Sequence, residues 1–142
     1  MIALILVFSG ACATPAPSPT ATPSATLDPN AVLLPTHNLS GALPEGLLQG
    51  TLTFDGLCVT IVTNRVGTFT PIWPIGWTAR LSGDRVQVRD PAGSLYEQGK
   101  PVALGGGEAS GTGATNLLEH TFNLLGACRR EPYWLVSGLA PP

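Results

Sequence analysis

Charge is scarce in this sequence. Only 11% of its 142 residues are Asp, Glu, Lys or Arg, against about 25% in an average soluble protein. The seven Lys and Arg residues are scattered, with Arg129-Arg130 the only adjacent pair. A nucleic-acid binder would usually show a basic run, which this scatter lacks, and the pair reads as a solvated turn more than a phosphate clamp. A net charge of −2 selects no charged partner. Long apolar runs are missing as well. Mean hydropathy is +0.25, yet the longest continuous run is Met1 to Phe8, far short of the ~20 residues of a spanning helix. Large size is absent too: 142 residues suit one domain. What the chain does have is Gly (17) and Pro (14), which favour turns and short strands over long helices.

The apolar run Met1 to Phe8 is followed by Ser9-Gly10-Ala11-Cys12. A short apolar stretch ending in small residues reads as an export signal. Small residues before a cysteine let a lipoprotein signal peptidase fit the backbone, and the Cys12 thiol then accepts diacylglycerol. The segment resembles a bacterial lipoprotein signal, which implies a signal peptide over 1–11 and lipidation at Cys12. Ser9 stands where a Leu is usual, and no Lys or Arg precedes the apolar run. The missing charge is also what a start placed too far downstream would produce. The competing reading is simple secretion: Ala11-Cys12-Ala13 satisfies the A-x-A rule, with cleavage after Ala13.

Between Ala13 and Thr26 the chain uses only Ala, Thr, Pro and Ser. Such a segment cannot bury enough apolar surface to offset the entropy of ordering, so residues 12–30 read as a disordered tether. Its prolines favour polyproline II at about 3.1 Å per residue, a reach of roughly 50 Å from Cys12 to Pro29. Asn38-Leu39-Ser40 matches the N-glycosylation sequon by letter only.

Residues 31–142 are left for a folded unit. Gly50 to Phe54 alternates polar and apolar, Asp55-Gly56 offers a hairpin turn, and Leu57 to Thr63 continues as a β-branched run. Further strands are expected over Gly67–Trp73, with Pro71 marking an edge or bulge, and over Arg85–Arg89, Ser94–Gln98, Pro101–Leu104 and Tyr133–Val136. Leu117, Leu118, Phe122 and Leu125 recur at helical spacing, which predicts one short helix over 115–125. The fold class is therefore mainly β: a small five- or six-stranded barrel of OB type with one helix, behind a disordered linker.

Cys58, Trp73-Pro74-Ile75-Gly76, Gly83-Asp84, Asp90 with Gly93, Gly105-Gly106-Gly107-Glu108, and Cys128 with Pro132-Tyr133-Trp134 together form a pattern that resembles bacterial lipoproteins of uncharacterised function. The resemblance spans Gly50 to Gly138. It implies a small extracytoplasmic β domain and no known activity.

Once Cys12 is lipidated or removed, Cys58 and Cys128 remain, an even number in an oxidising compartment, and a disulfide is the expectation. Two other uses stay open at this point. A zinc site would need His37 and His120 as further ligands, without ligand-type spacing. A nucleophilic thiol would need His120 beside it. Gly105 to Gly113 invites a phosphate-loop reading, but Ser110 stands where G-x-G-x-x-G needs its last Gly and no Lys follows, so a glycine-rich turn is expected. Trp73 and Trp77 flank Pro74-Ile75-Gly76. They are either core, or an exposed aromatic platform for a sugar, peptide or headgroup.

No catalytic constellation and no cofactor site stands out. The expectation is a lipid-anchored extracytoplasmic module that binds or scaffolds, with the bilayer, an envelope protein or a glycan as partner, and no nucleic acid. The alternative is a small envelope-polymer hydrolase built on His120.

Overall fold

The computed structural model describes residues 29–40, 43–109, 121–122 and 128–139. The strands run in chain order as β1 (Ala31–Val32), β2 (Thr36–His37), β3 (Gly46–Phe54), β4 (Val59–Thr63), β5 (Gly67–Pro74), β6 (Thr78–Ser82), β7 (Arg85–Arg89), β8 (Leu95–Glu97), β9 (Pro101–Ala109), β10 (Thr121–Phe122) and β11 (Tyr133–Leu139).

Five of them close a barrel. β3 pairs antiparallel with β4 and β9, β4 with β5, and β9 with β11, while β11 meets β5 in parallel. Counted along the chain, the barrel order is first, second, third, fifth, fourth and back to the first. This is the mixed Greek-key order of an OB barrel, as expected from the sequence. Alternation fills the interior: Leu48 and Leu52 of β3, Val59 and Ile61 of β4, Phe69 and Trp73 of β5, Val102 and Leu104 of β9, and Trp134 and Val136 of β11 are all buried in one cluster. Trp134 meets Phe69 edge-on, with centroids 5.9 Å apart.

Pro71 sits where a proline does least harm. Successive amides in a strand point to opposite edges. Thr70 N–H donates to Pro132 O on the β11 side, so Trp73 N–H, which donates to Pro35 O, faces the other edge. On that edge β4 pairs only through Phe69 and β2 takes over at Trp73. Pro71, lacking an amide, falls at the change of partner.

Between the third and fourth barrel strands lies an antiparallel meander, β6–β7–β8, extended at its free side by β1. Ala79, Val86 and Val88 point inward to the shared core. β6 leaves little trace in the sequence because its inward residues, Ala79 and Leu81, include only one large apolar side chain. A second, smaller cluster lies outside the barrel wall. Ile72, Tyr133 and Leu135 are covered there by Leu39 and Leu43 of the segment leading into β3.

Two expectations are corrected. Gly105 to Gly107 are not a turn: all three lie within β9, paired to β3 and β11. The helix expected over 115–125 falls largely outside the described residues. Thr121–Phe122, the part described, is a strand paired antiparallel with β2. Among the described residues there is no α-helix.

Candidate functional site

Cys58 and Cys128 are joined in a disulfide with Cα atoms 5.4 Å apart, across a sequence separation of 70. Both cysteines are fully buried. The bridge removes them as thiolate metal ligands and as nucleophiles. It links the β3–β4 connection to the segment entering β11. A second link lies beside it. Asp55 Oδ1 accepts the Leu57 and Cys58 amides at 3.0 and 2.8 Å, and its Oδ2 accepts Arg130 Nη1 at 2.9 Å. The Cys58 and Leu57 amides, with the Arg130 guanidinium, hold the Asp55 carboxyl below its ordinary value against the opposing effect of burial. Arg130 is thus half of an ion pair and not a bare solvated turn residue.

Trp73 and Trp77 do come together, with centroids 4.9 Å apart, but not at the surface. Trp73 is 0% and Trp77 8% exposed. Trp77 in turn stacks on Tyr96 at 5.8 Å. The indoles weld the meander to the barrel, and the exposed platform considered from sequence is not formed. Ligands of OB barrels commonly lie on the face of the second and third strands. Of that outer face only Val62 and Thr68 are exposed, while Thr60 and Thr70 are buried and Thr60 Oγ1 bonds Thr53 Oγ1 at 2.7 Å. Neither exposed side chain is a ring on which a base or sugar would stack.

His37, on β2, is 1% exposed. Its Nε2–H donates to Val136 O at 2.9 Å, and its Nδ1 accepts the Leu39 amide at 3.3 Å. One acceptor and one donor define a neutral ring with the proton on Nε2. A second proton would face the Leu39 N–H. Burial lowers the His37 pKa from its ordinary 6.5, only partly offset by the bond to Val136 O. An unfolded chain therefore takes up a proton below about 6.5 that the folded chain refuses. Stability is fully present above 6.5 and is lost as pH falls from there through the lower folded value. His37→Gln should remove a slope of up to about 1.4 kcal/mol per pH unit in that window. Urea midpoints measured from pH 7.5 to 5 for parent and variant check this; parallel curves would overturn it.

Asp90 is a structural carboxylate. Burial pushes it up, but the Ser94 amide and hydroxyl, the Gly93 amide and the Tyr96 hydroxyl together hold it below its ordinary value. Its Oδ1 accepts Ser94 N–H at 2.8 Å, closing the β7–β8 turn. His120, the residue on which hydrolysis would depend, lies outside the described residues, as does Cys12. Among the described residues no group of three or more His, Cys, Asp or Glu is placed to hold a metal ion.

Surface depressions are shallow. One, of about 250 Å³, lies on the meander and is lined by Ala31, Thr78, Arg80, Gln87, Arg89 and Leu95 among others. Sequence reasoning missed it because its two arginines are brought together only by the pairing of β6 with β7. No family model, curated protein or solved structure matches this chain.

Proposed function

We propose that the protein is a membrane-anchored lipoprotein whose small β domain works outside the cytoplasm as a non-enzymatic binding or scaffolding module. The Cys58–Cys128 bridge is the observation that supports this best. A buried disulfide closing a long loop belongs to an oxidising compartment, and an export signal with a lipid-accepting Cys12 would deliver the chain there. The Pro/Thr tether then joins the domain to its anchor with a reach of roughly 50 Å. The barrel is held by a bridge, an ion pair and an indole cluster, which suits a rigid platform more than a gated active site.

Intact mass of protein extracted from native membranes tests the proposal, with thiols alkylated in denaturant before and after reduction. The expected species begins at Cys12, carries diacylglycerol and takes up alkylating agent only after reduction. A soluble species beginning at Thr14 would replace anchoring by secretion. A chain retaining Met1 with thiols open to alkylation would overturn export altogether.

A further inference from the structure

The meander presents a two-faced sheet. Ala79, Val86, Val88 and Tyr96 point into the core, so alternation sends the intervening residues outward. Register sets them side by side: Ala31 opposite Arg80, Thr78 opposite Arg89, Arg80 opposite Gln87, Ser82 opposite Arg85, and Arg89 opposite Leu95. Arg80, Arg85 and Arg89 are all exposed on this one face. They are three of only seven cationic side chains in a chain of net charge −2, so positive charge is segregated here. Arg89 Nη1 donates to Gly93 O at 2.8 Å, which fixes one guanidinium in place. Two acids lie near this face: Glu97, whose Oε1 accepts Gln87 Nε2 at 2.9 Å, and Asp84, exposed in the turn before Arg85. Leu95, 43% exposed and opposite Arg89, adds an apolar side chain beside the arginines.

The chain enters the fold at this same sheet. Pro29-Asn30 lead into β1, the edge strand beside β6, and Leu81 N–H donates to Asn30 O at 2.8 Å. From Cys12 to this edge is a tether of roughly 50 Å when extended. An anchored chain would therefore hold the arginine face within reach of the headgroups, at a high effective concentration.

We propose that the outer face of the β1–β6–β7–β8 sheet docks the domain on anionic lipid headgroups, through Arg80, Arg85 and Arg89 with Leu95 against the headgroup layer. The proposal rests on the anchored reading for its geometry in the cell, but the face can be tested without the anchor. A basic side chain near an anionic surface strengthens binding about fivefold, so three give about 100-fold. The attraction is screened by salt.

The test uses the processed chain from residue 12 onward with Cys12→Ser, so that no acyl group or leader contributes. It is sedimented with vesicles of phosphatidylcholine alone and of an equal mixture with phosphatidylglycerol, at low and physiological salt. The expected result is binding to the anionic vesicles only, weakened by salt and reduced about 100-fold in Arg80→Gln/Arg85→Gln/Arg89→Gln. That triple variant alters exposed side chains, and an unchanged thermal midpoint verifies its fold. An Arg129→Gln/Arg130→Gln chain is expected to keep most of the binding. Equal binding to neutral vesicles, no effect of the triple variant, or an equal loss in the Arg129/Arg130 variant would each overturn the proposal. So would saturable binding of inorganic phosphate by a chain that ignores the vesicles, which would make the face a soluble-anion site. Failure on vesicles by a protein found acylated in its native membrane overturns the face alone. A native chain without diacylglycerol overturns the anchor and leaves the vesicle result intact.

Discussion

Replacing both bridged cysteines, Cys58→Ala with Cys128→Ala, is expected to lower the unfolding free energy by about 4 kcal/mol. The bridge spans a separation of 70 residues, and the loss of loop-closure entropy in the denatured chain grows with the logarithm of that length. The cysteines are wholly buried beside Leu57 and Val59, so the alanine pair also leaves a small void. A small domain is stable by about 5–15 kcal/mol in all, so the loss is a large share. In a thermal scan it corresponds to roughly 15–30 °C. The neighbouring Asp55–Arg130 pair does not substitute for the bridge. Its side chains are 38% and 59% exposed, and an exposed pair contributes less than about 1 kcal/mol. Arg130→Gln should therefore shift the urea midpoint only slightly, while the double alanine chain shifts it greatly. A double alanine chain within about 1 kcal/mol of the parent would show that the strands alone hold β11 in place.

Much of this architecture was legible in the sequence, because a half-buried strand alternates. Arg85 to Arg89 and Gly50 to Phe54 show their inward residues directly, and the parity of the cysteines pointed to the bridge. The same parity, followed from Phe69 through Pro71 to Trp73, places that indole inside the barrel with Phe69. Trp77 could not be read this way. The turn at Ile75-Gly76 resets the alternation, and only the stacking on Trp73 and Tyr96 shows where it points. His37 was opaque for another reason: its partner, Val136 O, is 99 residues away. The arginine face was half visible. Arg85 and Arg89 share a face by alternation along β7, but Arg80 joins them only through the β6–β7 register. The glycines of β9 misled most, since composition marks Gly-Gly-Gly as a turn while backbone crowding can demand the same residues within a strand.

Gly106→Ala is the sharpest test of that crowding. Gly106 pairs with Gly46 on one side and Val136 on the other, at the place where Trp134 turns its indole over β9. A Cβ here would collide with Leu135 O and lie 2.8 Å from Trp134 Nε1. The carbonyl belongs to the backbone of β11 and has no rotamer by which to retreat. The residue also has φ of +148°, a region open essentially to glycine alone. Overpacking of about 1–3 kcal/mol adds to backbone strain of about the same size, for an expected loss of about 3 kcal/mol or more. Gly99→Ala separates the two contributions. Gly99 also has positive φ, +81°, yet a Cβ there meets nothing within 4 Å, so only strain of about 1–2 kcal/mol applies. Gly107→Ala separates them from the other direction. Its Cβ would strike the Pro44 ring and not the barrel wall, so faster amide exchange in the segment before β3 should accompany a smaller loss of stability. Urea unfolding of the three variants is expected to rank Gly106→Ala as the most destabilised. A Gly106→Ala chain no less stable than Gly99→Ala would mean that β9 and β11 can separate to admit a side chain, and that the glycines are there for flexibility after all.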